Sequence, residues 1–141
     1  MLYRAQTKLD TIFNMQGLHS LPTQDVLFPL IFQYLAPEDW FSLRAVNQEI
    51  HLLVSQFFSF CRVLNLAYHK KLTEQAFVIL TEEAQSLRVL NVAGLKFLTD
   101  DLLRNVIVRN PHLTRLELSE CHHLTSGILH TVAMRYPVCC D

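Results

Sequence analysis

Glycine is scarce in this chain, with three in 141 residues, and that scarcity leaves little room for tight hairpins or phosphate-cradling loops. Charge is scarce as well. Charged residues make up 18%, against roughly 25% in an average globular domain, while hydrophobic residues make up 50%. That balance excludes a largely disordered chain. Twelve basic and thirteen acidic residues leave a net charge of -1, without the clustered Lys/Arg stripe that phosphate-backbone binding requires, so nucleic acid is excluded as a partner. No apolar run comes near the roughly 20 residues of a membrane span: the longest is Val26 to Phe32, and Arg4, Lys8 and Asp10 interrupt any signal-peptide core. The four cysteines, Cys61, Cys121, Cys139 and Cys140, have neither Cys-x-x-Cys spacing nor the density of a disulfide scaffold, which predicts a reducing compartment, cytoplasmic or nuclear. The length fits one domain, or one small module joined to the start of a second. The apolar surplus predicts surface meant to be covered by another chain or by a continuation of this one.

What the chain does have is an internal repeat. Leu64-x-Leu66, Leu90-x-Val92 and Leu116-x-Leu118 recur every 26 residues, in step with Leu72-Thr73, Leu98-Thr99 and Leu124-Thr125. The pairs Ala76-Phe77, Leu102-Leu103 and Ile128-Leu129 keep the same interval, as do Leu80, Val106 and Val132. Each unit opens with a two-residue alternation, in which Leu90 and Val92 face one side of a strand while Val89, Asn91 and Ala93 face the other. The pattern then switches to the spacing of a helical face. Thr73, Thr99 and Thr125 stand where N-cap oxygens would accept backbone amides, with Glu74, Asp100 and Asp101 at the positive end of the helix dipole. Asn110-Pro111 and Tyr136-Pro137, also 26 apart, end the helices, because proline pushes the residue before it out of the helical region.

A strand plus a helix at this period resembles a leucine-rich repeat. The resemblance implies that units stack around a continuous core with a parallel sheet along the concave side. In the cysteine-containing class of such repeats a buried Cys follows the strand. Cys121 fits that place; its counterparts one and two periods earlier are Leu95 and His69. A fourth unit would begin at position 139, where the chain reads Cys139-Cys140-Asp141, so the stack is expected to be open at its C-terminal end: a fragment, a short isoform, or a marginal domain prone to associate.

The first half reads differently. Residues 1–19 carry no period and are taken as a leader. From Leu21 the chain runs Leu21-Pro22-Thr23-Gln24-Asp25-Val26-Leu27, then Leu30-Ile31-Phe32-Gln33-Tyr34-Leu35, then Pro37-Glu38-Asp39-Trp40-Phe41-Ser42-Leu43-Arg44-Ala45-Val46. This resembles an F-box, whose motif runs Leu-Pro, an acidic residue, an aliphatic helix, then a Leu-Arg-x-Val segment leading into a third helix. Pro29 falls inside the first of these helices, which is therefore expected to start near Asp25 or to break at 29. Read from the residues alone, 26–35 is apolar almost all round, and some 35 residues cannot build a core to hide it. It is covered either by a partner or by the first repeat. Each such side chain fully buried contributes about 1.5 to 3 kcal/mol before the cost of association is subtracted.

An F-box followed directly by 26-residue repeats resembles the F-box and leucine-rich-repeat family. The expected fold is α/β: a three-helix F-box over 20–58, then about three strand–helix units over 59–141 with a parallel sheet. The resemblance implies a substrate-recognition subunit of an SCF (Skp-cullin-F-box) ubiquitin ligase, with no catalytic group and no cofactor of its own. It implies docking on a Skp-type adaptor through Leu21, Pro22, Val26, Leu27, Leu30, Ile31, Leu35, Leu43 and Val46. Substrate contacts would come from the strand residues that point away from the core: Val63, Asn65, Val89, Asn91, Arg115 and Glu117. The alternatives are a non-ligase binding scaffold whose helices only cap the first repeat, or a short competitor that occupies the adaptor without holding substrate. Two rival chemistries are set aside. Cys121-His122-His123 with His130 lacks the two separated ligand clusters of a zinc site, and no third group or oxyanion hole marks a Cys/His nucleophile.

Overall fold

The computed structural model describes residues 32–135, and they form a mixed α/β chain in two compact units that divide between Phe57 and Phe58. The expected leader, most of the expected first helix with its Pro29, and Tyr136-Pro137 lie outside the described residues. Where the sequence predicts an aliphatic helix running to Leu35, residues Phe32–Tyr34 form a single 3-10 turn, closed by the Leu35 amide on the Phe32 carbonyl at 3.1 Å.

Two helices follow. In α1, Pro37–Arg44, proline occupies the first turn, where its missing N–H costs nothing, and the Asp39 carboxylate accepts the amide of the N-cap Ala36 at 3.2 Å. The helix α2, Gln48–Phe60, is opened by Asn47, whose Oδ1 accepts the Ile50 amide at 2.9 Å. Trp40 and Leu43 of α1 are buried, as are Ile50, Val54 and Phe57 of α2. The centre of this unit is aromatic. The Phe57 ring lies edge-on to Phe32 at 5.6 Å and 6.0 Å from Trp40, and the Trp40 indole N–H donates to the Phe32 carbonyl at 3.1 Å.

The second unit is a strand–turn–helix element repeated three times: β1 Val63–Asn65 and α3 Glu74–Glu83, β2 Val89–Asn91 and α4 Asp100–Arg109, β3 Arg115–Glu117 and α5 Ser126–Arg135. The strands form a parallel sheet in the order β1-β2-β3, and its register aligns Val63 with Val89 and Arg115, Leu64 with Leu90 and Leu116, and Asn65 with Asn91 and Glu117. Residues 26 apart in sequence are therefore neighbours in space. The backbone repeats the same bonds outside the strands: the Leu66 amide donates to Asn91 and that of Val92 to Glu117, and the Tyr68 amide donates to Ala93 as that of Gly94 does to Ser119. Even the left-handed residue of each turn keeps the interval: φ is 58° at Tyr68, 73° at Gly94 and 60° at Glu120.

Burial follows the repeat. Leu64, Leu90 and Leu116 from the strands, Leu66 and Val92 just beyond them, and Phe77, Leu80, Leu103 and Val106 from the helices are all essentially inaccessible. Two buried polar residues support this core. Asn110 accepts the Leu87 amide on Oδ1 at 2.9 Å and donates from Nδ2 to the Val106 carbonyl at 3.0 Å, while the Thr81 hydroxyl donates to the Phe77 carbonyl at 2.8 Å.

Four expectations need correction. The strands are only three residues long, so Ala93 has left the two-residue alternation and points inward, 2% exposed. Of the threonine caps, Thr73 accepts the Ala76 amide at 3.2 Å, but Thr99 makes no cap bond and the Thr125 hydroxyl is turned onto the Asp100 carboxylate of the preceding unit. In the third unit Ile128 is buried and Leu129 is 41% exposed, whereas its counterparts Phe77 and Leu103 are fully enclosed: those are covered by a following unit, and none is described after α5. Cys121, expected to be buried in the stack, is half-buried.

Candidate functional site

The sheet has one face turned away from the core, and it carries the six strand residues singled out from the sequence. They form two rows. Val63, Val89 and Arg115 make the first, with Val63 62% exposed, Val89 half-buried and Arg115 exposed. Asn65, Asn91 and Glu117 make the second, and this row has a structural duty that the spacing did not reveal. Asn65 Oδ1 accepts the Ala67 amide and Asn91 Oδ1 the Ala93 amide, both at 3.1 Å, and Glu117 Oε1 accepts the Ser119 amide at 3.3 Å. Each side chain thus fixes the turn that follows its strand, as short polar side chains do at strand ends. The amide NH₂ groups of Asn65 and Asn91 and the free carboxylate oxygen of Glu117 are what the row can still offer to a partner.

The nine residues singled out for adaptor docking divide otherwise. Leu35 is half-buried, Leu43 is buried against its own unit and Val46 is exposed; Leu21, Pro22, Val26, Leu27, Leu30 and Ile31 lie outside the described residues. Leu43 can therefore support a docking face but cannot form it.

A second feature was not found from the sequence. At the turn end of the second unit, beyond the carboxyl ends of the strands, lies a groove of about 430 Å³ lined by Tyr68, Lys70, Lys96, Phe97, Glu120 and His122, among others. Its nitrogen-bearing side is one column of the repeat: Lys70, Lys96 and His122 are successive at the 26-residue interval, all three exposed. That 26-residue column is the signal the sequence holds for the groove, carried by polar positions and not by the apolar ones that mark the core. The Tyr68 ring lies against Gly94, so close that a Cβ there would stand 2.5 Å from Cδ1, and its hydroxyl reaches Glu120 Oε1 at 3.4 Å. One side chain thus spans three successive turns. The Glu120 charge, with burial of the hydroxyl a lesser cause, raises the Tyr68 pKa above its ordinary value. Phe97 is fixed from behind by an edge-on contact with Phe77 at 5.7 Å.

The two described thiols are held in their neutral form. Burial pushes Cys61 up to about 11, against a smaller opposing effect of the backbone at Val63, and burial likewise raises Cys121 despite the nearby amides of Leu95 and Gly94. A thiol so shifted carries little thiolate near neutrality and makes a poor nucleophile or soft metal ligand. His122 and His123 are both exposed on the turn after β3, and among the described residues no group of three or more His, Cys, Asp or Glu side chains is gathered as a metal site. No described helix is long and apolar enough to cross a membrane. No protein-family model matches the chain.

Proposed function

We propose that this chain is a substrate-recognition subunit of an SCF-type ubiquitin ligase, working in the cytoplasm or nucleus. In this reading the stretch from Leu21 to about residue 57 acts as an F-box that docks on a Skp-type adaptor, and the strand–turn–helix units act as leucine-rich repeats that hold a protein substrate. The mechanism is proximity. A substrate lysine held near a ubiquitin-charged conjugating enzyme reacts at a raised effective concentration, and the chain supplies no catalytic group or cofactor.

The observation that carries the reading is the order of the two modules. The Leu-Pro to Leu-Arg-x-Val text runs directly into the Asn47-capped helix α2, and three units in 26-residue register follow at once. Val63, Asn65, Val89, Asn91, Arg115 and Glu117, aligned in two rows on one sheet face, are the substrate contacts of this proposal.

The test is capture of the chain by purified Skp-type adaptor. The wild type is retained, and Leu30→Asp with Ile31→Asp lowers retention by at least about tenfold, since two buried charges in an apolar interface are costly, while circular dichroism shows the helical and strand content unchanged. Equal retention of the double variant, or no retention of the wild type, overturns the ligase reading and leaves a binding scaffold.

A further inference from the structure

We propose that the groove at the turn end of the second unit is a docking site for an acidic protein segment with aromatic or other apolar side chains. The position comes first. Beyond the carboxyl ends of the strands the turns of successive units stand side by side. The groove lies there, and its volume of about 430 Å³ accommodates a few side chains of an extended segment, not a folded domain.

Charge chooses the class of occupant. The column Lys70, Lys96 and His122 places two ammonium groups and an imidazole in adjacent turns, which follow strands that in a parallel sheet lie roughly 5 Å apart. Among the described residues no hydrogen bond or ion pair engages the Lys70 or Lys96 side chain. The one carboxylate on the wall, Glu120, is turned onto the Tyr68 hydroxyl. A chain with a net charge of -1 thus carries two unpaired lysine charges in adjacent turns, which complement carboxylates spaced along a peptide. The same wall offers ring surface: Tyr68 is 56% exposed over Gly94, and Phe97 is braced by Phe77. Tyr68 and Glu120 hold left-handed backbones that non-glycine residues adopt at a cost, and such outliers persist where the surrounding structure imposes them. Two lysines are too few for the backbone contacts that nucleic-acid binding requires, so a protein segment fits better.

The groove contains none of the strand-row residues and none of the adaptor residues, so the proposal stands or falls apart from the ligase reading. Fluorescence anisotropy on the full 141-residue chain at low salt tests it, with a labelled peptide of alternating glutamate and phenylalanine as the probe. Saturable binding is expected. Lys70→Glu with Lys96→Glu weakens it by at least about tenfold, Tyr68→Ala by several-fold, and Arg115→Ala on the sheet face by less than about twofold. Circular dichroism of each variant keeps loss of fold apart from loss of binding. Absence of saturable binding, indifference to the charge reversal, or equally tight binding of a single-stranded oligothymidine overturns the proposal.

Discussion

Gly94 is the residue whose replacement has the clearest consequence. Its φ of 73° lies where a Cβ is disfavoured by roughly 1–2 kcal/mol, and the new methyl would meet the Tyr68 ring. The ring is the part that can move, and moving it breaks its contact with Glu120. Gly94→Ala is therefore expected to lower stability by about 1–2 kcal/mol, read as a shift of the urea midpoint, and to lower the Tyr68 pKa towards its ordinary value, read by ultraviolet titration. Cys61 provides a second expectation. Its thiol is pushed to about 11 in the folded chain, so between an unfolded pKa near 9 and that value the folded state binds the extra proton. The stabilisation is complete below about pH 9 and lost as pH rises to about 11, at most about 3 kcal/mol for two pKa units. Cys61→Ala should flatten that part of the stability curve; an unchanged slope would refute the assignment. Neither feature was legible in the sequence, because a lone glycine and a lone cysteine acquire meaning only from the groups folded against them.

Among the elements, the strands were located correctly by their leucines, while their length was not. Alternation in sequence continues through Ala93, but the Asn91 side chain captures the Ala93 amide and turns the chain after three residues. The threonine caps show the same limit: the three sites look alike in sequence, and only Thr73 makes the bond to its own helix, because Asp100 claims Thr125 from the neighbouring unit. The distinction between the two strand faces is strong enough to measure. Leu90, fully enclosed on the inner face, should cost about 2–5 kcal/mol when replaced by Ala, and Val63, exposed on the outer face, less than about 1 kcal/mol, both read from denaturant midpoints. Similar losses at the two sites would mean that the sheet has no free face.

At the scale of the whole molecule, two kinds of legibility meet. The second unit could be read because its register equals its sequence period, so the column of Leu64, Leu90 and Leu116 became a row of core contacts. The columns carrying polar residues were equally periodic, yet only the structure connected Lys70, Lys96 and His122 into one wall. The first unit has no period to exploit. Its α1 and α2 agree with the helices expected after Leu35, but the burial of Leu43 and Trp40 and the exposure of Val46 follow from how Phe57 and Phe32 close around the indole. The adaptor capture proposed above belongs to this scale, since it asks whether the apolar stretch at 26–35 is completed by a second polypeptide.

The sequence by itself determined the repeat, its 26-residue interval, the inward leucines and the proline-marked end of α4, because periodic burial and backbone restriction are written one residue at a time. Tertiary structure alone decided which threonine caps, which thiol is pushed up, and where a tyrosine crosses three turns to border a cationic groove. Those properties depend on burial and on distances between residues far apart in sequence, 25 positions for Thr125 and Asp100 and 52 for Tyr68 and Glu120, and such distances exist only once the sheet has aligned its strands.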